Sequence, residues 1–339
     1  MSIIKLINRN FILPLIKVSH LSELIARYSS HNNLILNYHG VVKNYDSTLT
    51  KNHLPIDQFA FQMQYFKKQC HILNLEEIFN NKFDHNKKRN KKCIAITFDD
   101  GYLNNFENAF PILNSLNIPA TIFVTAQSIF NPTLPLWYDL LDLLNSKLNW
   151  EKLKIEIELA NIEGLNVTLH ENYNSFKKYI KTTSPKIKIE LVHTLMKNPK
   201  LESELSRCDT EYWKIMNKEN LEEISKSNLI EIGSHGFTHS NLDQIEKSEL
   251  TNELINSKNS LQESIGKKVE SIAFPDGAYN QLVKEECHKI GYKRLLAVNY
   301  RCETDNNDPT ILPRLSISNT TTSDAVIIQS NLSYSKTGF

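Results

Sequence analysis

The 339-residue sequence has no excess of either charge, with 39 Lys and Arg against 38 Asp and Glu. Lacking a basic face, it offers no electrostatic footprint for nucleic acid or an acidic membrane. The one long basic run, "NKKRNKK" at 86–92, falls between predicted elements and reads as a solvated loop. Cysteine provides no framework either. Cys70, Cys93, Cys208, Cys287 and Cys302 show no paired short spacing. That argues against a thiolate zinc site and a disulfide scaffold, and favours a reducing compartment. No apolar run approaches the ~20 residues of a membrane span. The N-terminal "FILPLI" is too short for a signal peptide and lacks a small-residue cleavage site. A cytoplasmic protein, or one at the cytoplasmic membrane surface, is therefore expected. Internal repeats and low-complexity tracts are absent, and the abundant Asn reads as compositional.

The length fits one large α/β barrel or two smaller domains. Short β-rich runs recur: "LILNY" (34–38), "CIAITF" (93–98), "ATIFVT" (120–125), "LIEIG" (229–233), "SIAF" (271–274) and "RLLAV" (294–298). Between them, helical periodicity runs over 56–70, 106–116, 248–265 and 280–290. Gly266 and Gly291 follow the last two, in the usual C-cap position. Such alternation predicts a parallel sheet, open or closed into a barrel. Residues 133–226 break the rhythm and read as an insertion. In it "LWYDLLDLLNSKL" predicts an amphipathic helix, "KLKIEIELANIEGLNVTLH" a β-hairpin, and 173–227 further helices. Residues 1–30 read as an N-terminal helical segment and 326–339 as a tail. The aromatic residues of the insertion (Trp137, Tyr138, Trp150, Tyr173, Trp213) either line a ligand site or pack helices onto the barrel.

The strand ends carry the polar residues. "LILNY" runs into His39, and "CIAITF" into Asp99-Asp100-Gly101. "LIEIG" leads to Ser234-His235, with His239 four residues on, and "SIAF" to Pro275-Asp276-Gly277. In parallel α/β architectures the C-terminal strand ends share one face, and active sites are built there. Two His plus one Asp form a common open site for a divalent ion. Adjacent strand residues point to opposite faces, so Asp99 and Asp100 are expected to differ in role. One binds the metal, and the other stays free to take a proton from water on the metal.

"TFDDGY", "EIGSHGFTHSNL" and "AFPDGAYN" resemble, in this order, the first three motifs of the polysaccharide deacetylases (carbohydrate esterase family 4, the NodB-homology domain). The resemblance covers roughly 34–315, within a domain placed at 31–325. It implies a distorted (β/α) barrel of seven or eight strands that removes acetyl groups from an N-acetylated glycan or amino-sugar conjugate. It also implies one divalent ion, usually zinc. Asp99 would be the general base, and Asp100, His235 and His239 the metal ligands. Thr97 and Tyr102 would shape the loop. A backbone N–H near Pro275 and Asp276 would meet the oxyanion. Many members supply the acid from a late His, yet no His follows Gly291 here. "ILNYHGVV" instead resembles the first strand of the permuted branch that deacetylates poly-N-acetylglucosamine, which gives the acid role to His39. The remaining histidines, His53 among them, fall in helix- or loop-like contexts.

The chain departs from the family pattern twice more. The third motif often carries an Arg that orients the base; here it has none, and Arg314 in "LPRLSI" is the substitute candidate. After the first metal His the usual Ser or Thr is replaced by Gly236. The alternatives are a catalytically weak or inactive glycan-binding barrel and another metal-dependent hydrolase. A phosphoesterase would normally want a second metal ~3.5–4 Å away. A glycoside hydrolase needs carboxylates ~5–9.5 Å apart across the scissile bond, which adjacent residues suit poorly.

Overall fold

The computed structural model describes residues 34–46, 49, 52–80 and 93–318. The predicted N-terminal segment (1–30), the basic run (86–92) and the tail (326–339) lie outside them. Among the described residues no helix is long and apolar enough to cross a membrane.

The strands are β1 Leu34–Tyr38, β2 Val41–Val42, β3 Leu54–Pro55, β4 His71–Ile72, β5 Cys93–Phe98, β6 Ala120–Val124, β7 Ile230–Ser234, β8 Ser271–Ala273, β9 Arg294–Ala297, β10 Ile311–Pro313 and β11 Leu315–Ser316. Eight of them form one parallel path, β10-β9-β8-β7-β6-β5-β1-β11, with β4 paired to the start of β5. Its two end strands, β10 and β11, are separated in sequence only by Arg314. The path therefore returns on itself as a nearly closed, distorted (β/α) barrel. Every β1 and β6 residue is buried, which explains why these strands read as continuous apolar runs.

Period-two alternation sorts the strand residues into two layers. Leu34, Leu36, Tyr38, Ile94, Ile96 and Phe98 pack outward, with helices α1 Ile56–Gln69 and α3 Phe110–Ser115 contributing to the same cluster. Ile35, Ala95, Phe123, Ala273 and Leu296 fill the interior. Below them lies a polar layer, in which Arg294 pairs with Glu231 at 2.8 Å. Above them, at the C-terminal end, the interior turns polar again at Asn37, Thr97 and Arg314, all buried.

Helices α10 Lys247–Ile265 and α11 Gln281–Ile290 match their predicted spans. Each ends at a left-handed glycine, Gly266 or Gly291. A short helix, α2 Leu75–Phe79, was not anticipated from the sequence. The chain between β6 and β7 forms α4 Trp137–Leu148, α5 Trp150–Leu159, α6 Tyr173–Thr182, α7 Pro185–Met196, α8 Pro199–Ser206 and α9 Lys218–Ser225. The predicted hairpin in this region is corrected: "WEKLKIEIEL" is helical. Its apolar residues alternate, which mimics a strand. The helix, however, buries only the i, i+4 pair Leu153 and Ile157 and leaves Ile155 and Leu159 54% and 75% exposed. Lys and Glu suit a helix, and the Asn149 side chain caps it by accepting from Lys152 N–H.

The view of Asn as compositional is corrected too. After β5, "NNFENA" places Asn104, Asn105 and Asn108 in the interior, where they bind the chain leaving β1. Asn105 Nδ2 donates to the His39 carbonyl at 2.7 Å, Asn108 Nδ2 donates to that of Val41, and Asn104 Oδ1 accepts from Val41 N–H. These bonds fix the segment that carries His39.

Candidate active site

Asp99 continues the inward face of β5, two residues beyond Thr97. There it meets Arg314, whose position at the seam between β10 and β11 aims it across the barrel top. Arg314 Nη1 and Nη2 donate to Asp99 Oδ1 and Oδ2 at 2.6 and 2.8 Å, a bidentate pair. Asn37 Nδ2 donates to Asp99 Oδ2 at 2.9 Å, and Asn37 Oδ1 accepts from Arg314 Nη1 at 3.0 Å. Burial alone would raise the Asp99 carboxyl. Arg314, with His235, overrides that and holds it below the ordinary carboxylate value.

Strand alternation does not explain Asp100, and here the expectation is corrected. Asp100 has φ 75° and Gly101 φ 83°, so the chain turns sharply through the left-handed region. The turn aims the second carboxylate at the loop after β7 instead of into the outer helix layer. Asp100 Oδ1 lies 3.4 Å from His239 Nε2 and 3.6 Å from His235 Nε2. The three candidate ligand atoms all fall within 4.8 Å of one another. Asp100 Oδ1 is buried with no hydrogen-bond partner among the described residues, a geometry suited to a cation. His235 Nδ1 lies 2.8 Å from the Ala273 carbonyl, which can only accept. The proton therefore sits on Nδ1 and leaves the Nε2 lone pair for a metal. Burial would raise the Asp100 carboxyl, but His239, His39 and His235 hold it well below the usual range.

The loop bearing both histidines is fastened from below. Glu253 of α10 is buried and accepts from Phe237 N–H at 2.9 Å, Thr238 N–H at 2.6 Å and Thr238 Oγ at 3.0 Å. Gly236 has φ +76°, and a Cβ there would sit 3.2 Å from the Glu253 carboxylate. That crowding accounts for glycine where the resemblance leads one to expect Ser or Thr.

His39 follows β1 with its Nδ1 buried and unpartnered among the described residues. It is close enough to Asp99 and Asp100 to help lower both carboxyls. Thr97 does not shape the loop after β5. Its hydroxyl donates to the Leu36 carbonyl and accepts from Arg314. Tyr102 does fix that loop, pairing with Ile215, and its hydroxyl donates to Asp139 at 2.9 Å. Pro275 lies against the Gly236 turn, and the Asp276 side chain pairs with Lys181 at 2.6 Å.

Two groups were not singled out from the sequence. Asn37 could have been found, since it is the polar residue inside the apolar run "LILNY". His53, read as a loop residue, is buried between the rings of Tyr102 and Tyr212 at 4.7 and 5.4 Å. Burial and the nearby His39 push its pKa down to about 3, so it stays neutral. Among the aromatic residues of the helical segment, Trp150 and Tyr173 pack helices, whereas the Tyr138 ring lies 4.7 Å from that of His239.

A nearly closed parallel barrel with an Asp-His-His cluster at its C-terminal rim, beside an arginine-bound carboxylate, defines a class of hydrolase-like sites. The sequence profile of the polysaccharide deacetylase family matches residues 86–157 and 196–295, half of the chain. The chain belongs to the polysaccharide deacetylase family. The poly-β-1,6-N-acetyl-D-glucosamine N-deacetylase of Staphylococcus epidermidis is 34% identical over 115 residues, 30% of this chain and 39% of that protein. YxkH of Bacillus subtilis is 49% identical over 43 residues, 13% of this chain and 15% of that protein. The matches thus span well under half of either relative. Among solved structures, the Streptococcus pyogenes deacetylase PplD has a TM-score of 0.55 at 17% identity, over 88% of this chain and 97% of that one. IcaB from Ammonifex degensii has a TM-score of 0.54 at 14% identity, over 88% and 97%. At such identities these two establish the fold.

Arg314→Met should leave Asp99 buried without its counter-charge, destabilising the protein by about 3–5 kcal/mol. Without Arg314 to offset burial, the Asp99 carboxyl rises. If Asp99 is the base, the acidic limb of kcat/KM should therefore move to higher pH, with kcat down about 10–100-fold. An unmoved acidic limb in a folded variant would refute the pairing as a catalytic device.

Proposed function

We propose that this chain removes N-acetyl groups from an amino-sugar glycan or glycoconjugate, with one divalent ion, zinc, held by Asp100, His235 and His239. The observation that carries this reading is the convergence of those three side chains with the Arg314-bound Asp99 and with His39 on one rim. The curated relative named as a poly-β-1,6-N-acetyl-D-glucosamine N-deacetylase supports the substrate class. In this reading residues 31–325 carry the barrel, and about 133–226 is an insertion in it.

When bound, the ion supplies Lewis acidity to the acetamide carbonyl and lowers the pKa of a water in the site. Asp99 would take a proton from the water that attacks the carbonyl carbon. Arg314 and Asn37 keep the carboxylate ionised and aimed. Of the amides in that turn, Pro275 has no N–H and those of Phe274, Gly277 and Ala278 donate to backbone carbonyls, so the Asp276 N–H would be the one to meet the oxyanion that develops on the former carbonyl. As the C–N bond breaks, His39 gives a proton to the departing sugar amine, which leaves poorly as an anion. Acetate and the free amine result. In this reading Arg314 takes the place of the arginine that the third motif lacks, its bidentate contact with Asp99 supporting that role.

Purified protein should carry about one divalent ion per chain, and His235→Ala should strip it and abolish turnover, as read by elemental analysis beside an acetate-release assay. Full activity of metal-free protein would sink the reading. Asp99→Asn should retain the ion yet lower kcat at least ~10²-fold. Loss of metal as readily as in Asp100→Ala would mean that the carboxylate roles are reversed. His39→Ala should keep the ion and slow amide hydrolysis far more than hydrolysis of an aryl acetate, whose leaving group hardly needs a proton. Equal losses on both substrates would remove His39 from the chemistry.

A further inference from the structure

The helical segment between β6 and β7 arches over the C-terminal face of the barrel and is tied down along one continuous arc. At the exit of β8, Lys181 of α6 pairs with Asp276 at 2.6 Å. At the loop after β7, the Tyr138 ring of α4 lies beside that of His239, tilted at 4.7 Å, and Lys188 of α7 donates to Ser240 Oγ at 3.3 Å. The segment itself starts from the exit of β6. At the exit of β5, Tyr102 bonds Asp139 of α4 at 2.9 Å. At the exit of β1, Tyr212 O–H donates to the Asn44 carbonyl at 2.8 Å, and Glu211 accepts from Lys43 N–H at 2.8 Å.

In the sheet order these are five consecutive exits, β8-β7-β6-β5-β1, of the eight in the path. The arc is held stiffly. Lys188 is buried, and its ammonium also donates to the carbonyls of Lys181 and Thr183, fixing the end of α6 that carries Lys181. The groups beneath are nearly sealed: Asp99 is 3% exposed, Asp100 2%, His235 2% and His239 6%. Residues 158–195, which include Lys181 and Lys188, fall between the two stretches that match the family profile.

A long glycan reacting at an internal unit must continue away from that unit in two directions, so it needs a groove open at both ends. A mouth walled along more than half of its circumference admits a sugar from one side only. Resting on the deacetylase reading above, we propose that this site takes an acetamido sugar at the end of a chain or on a small carrier, and not the internal units of a long polymer. The Lys181–Asp276 pair is the part of the wall that closes the β8 side. Its side chains are about one-third exposed, so solvent and a sugar hydroxyl both reach it.

The test uses metal-loaded full-length protein with a propyl N-acetylglucosaminide and with β-1,4- and β-1,6-linked N-acetylglucosamine oligomers of two to six units. Free amines are located by mass-spectrometric fragmentation of the products. Turnover should remove a single acetyl group, from a terminal unit, with kcat/KM changing less than threefold from dimer to hexamer. Lys181→Ala should raise the share of internal product about tenfold or more. Internal units deacetylated by the unmodified protein as readily as terminal ones, or kcat/KM climbing more than tenfold with length, would overturn the inference and leave the deacetylase reading standing. No turnover of any of these, the monosaccharide glycoside included, by protein that holds its metal would overturn that reading and this inference with it.

Discussion

The contact between Arg314 and Asp99 links the closure of the barrel to the chemistry at its rim. Arg314 sits in the one-residue seam between the first and last strands of the sheet path, so its direction is set only when the barrel closes. Its guanidinium lies 5.3 Å over the Phe123 ring, on the apolar layer that fills the interior, and spans both oxygens of Asp99. A buried carboxylate without that partner would be driven toward its neutral form, which cannot accept a proton. The strand order, the apolar interior layer below and the ionisation of Asp99 are thus parts of one constraint.

Two adjacent carboxylates coexist at the end of β5 because they do not share an environment. Asp99 is neutralised by arginine inside the barrel, while the left-handed turn at Asp100 presents the other to two imidazoles. The second cluster depends on support of its own. Glu253 holds the backbone between His235 and His239 from α10, and the Ala273 carbonyl sets the tautomer of His235. Three separate strand exits and one helix therefore fix a cluster whose ligand atoms span less than 5 Å, as the 4.8 Å limit on their separations shows. Such a preorganised arrangement would let an ion bind without the side chains having to be collected first.

Between β6 and β7, helices α4 to α8 share an apolar core built around Leu140, Leu144, Phe176 and Leu191, whereas α9 packs Leu221 and Ile224 into the barrel's own cluster; polar and aromatic contacts add to the attachment at the rim. That division matches their roles. The apolar cluster keeps the helices together, and the directional contacts at Lys181, Lys188, Asp139 and Tyr212 set where they lie over the barrel.

Much of this protein was legible in the sequence, because strands buried on both faces and helices ended by glycine leave local patterns. The six main strand runs, the long helices and the grouping of Asp99, Asp100, His235 and His239 at strand ends follow from periodicity and from polar residues placed where apolar runs stop. Other features were not local and could not be read. Alternation in "WEKLKIEIEL" suits strand or helix equally, and only packing of Leu153 and Ile157 against the other helices decides between them. The Asn104–Asn108 group looked like composition until its partners, 63 to 67 residues away in the chain, were in place. His53 gained its place between two tyrosines from a turn and a helix end remote in sequence. The sequence by itself determined which residue types stand at the strand ends and hence the class of chemistry. Tertiary structure alone decided that Arg314, 215 positions from Asp99, would bind that carboxylate, because a guanidinium–carboxylate contact depends on where barrel closure puts the two groups and leaves no trace in the spacing of either.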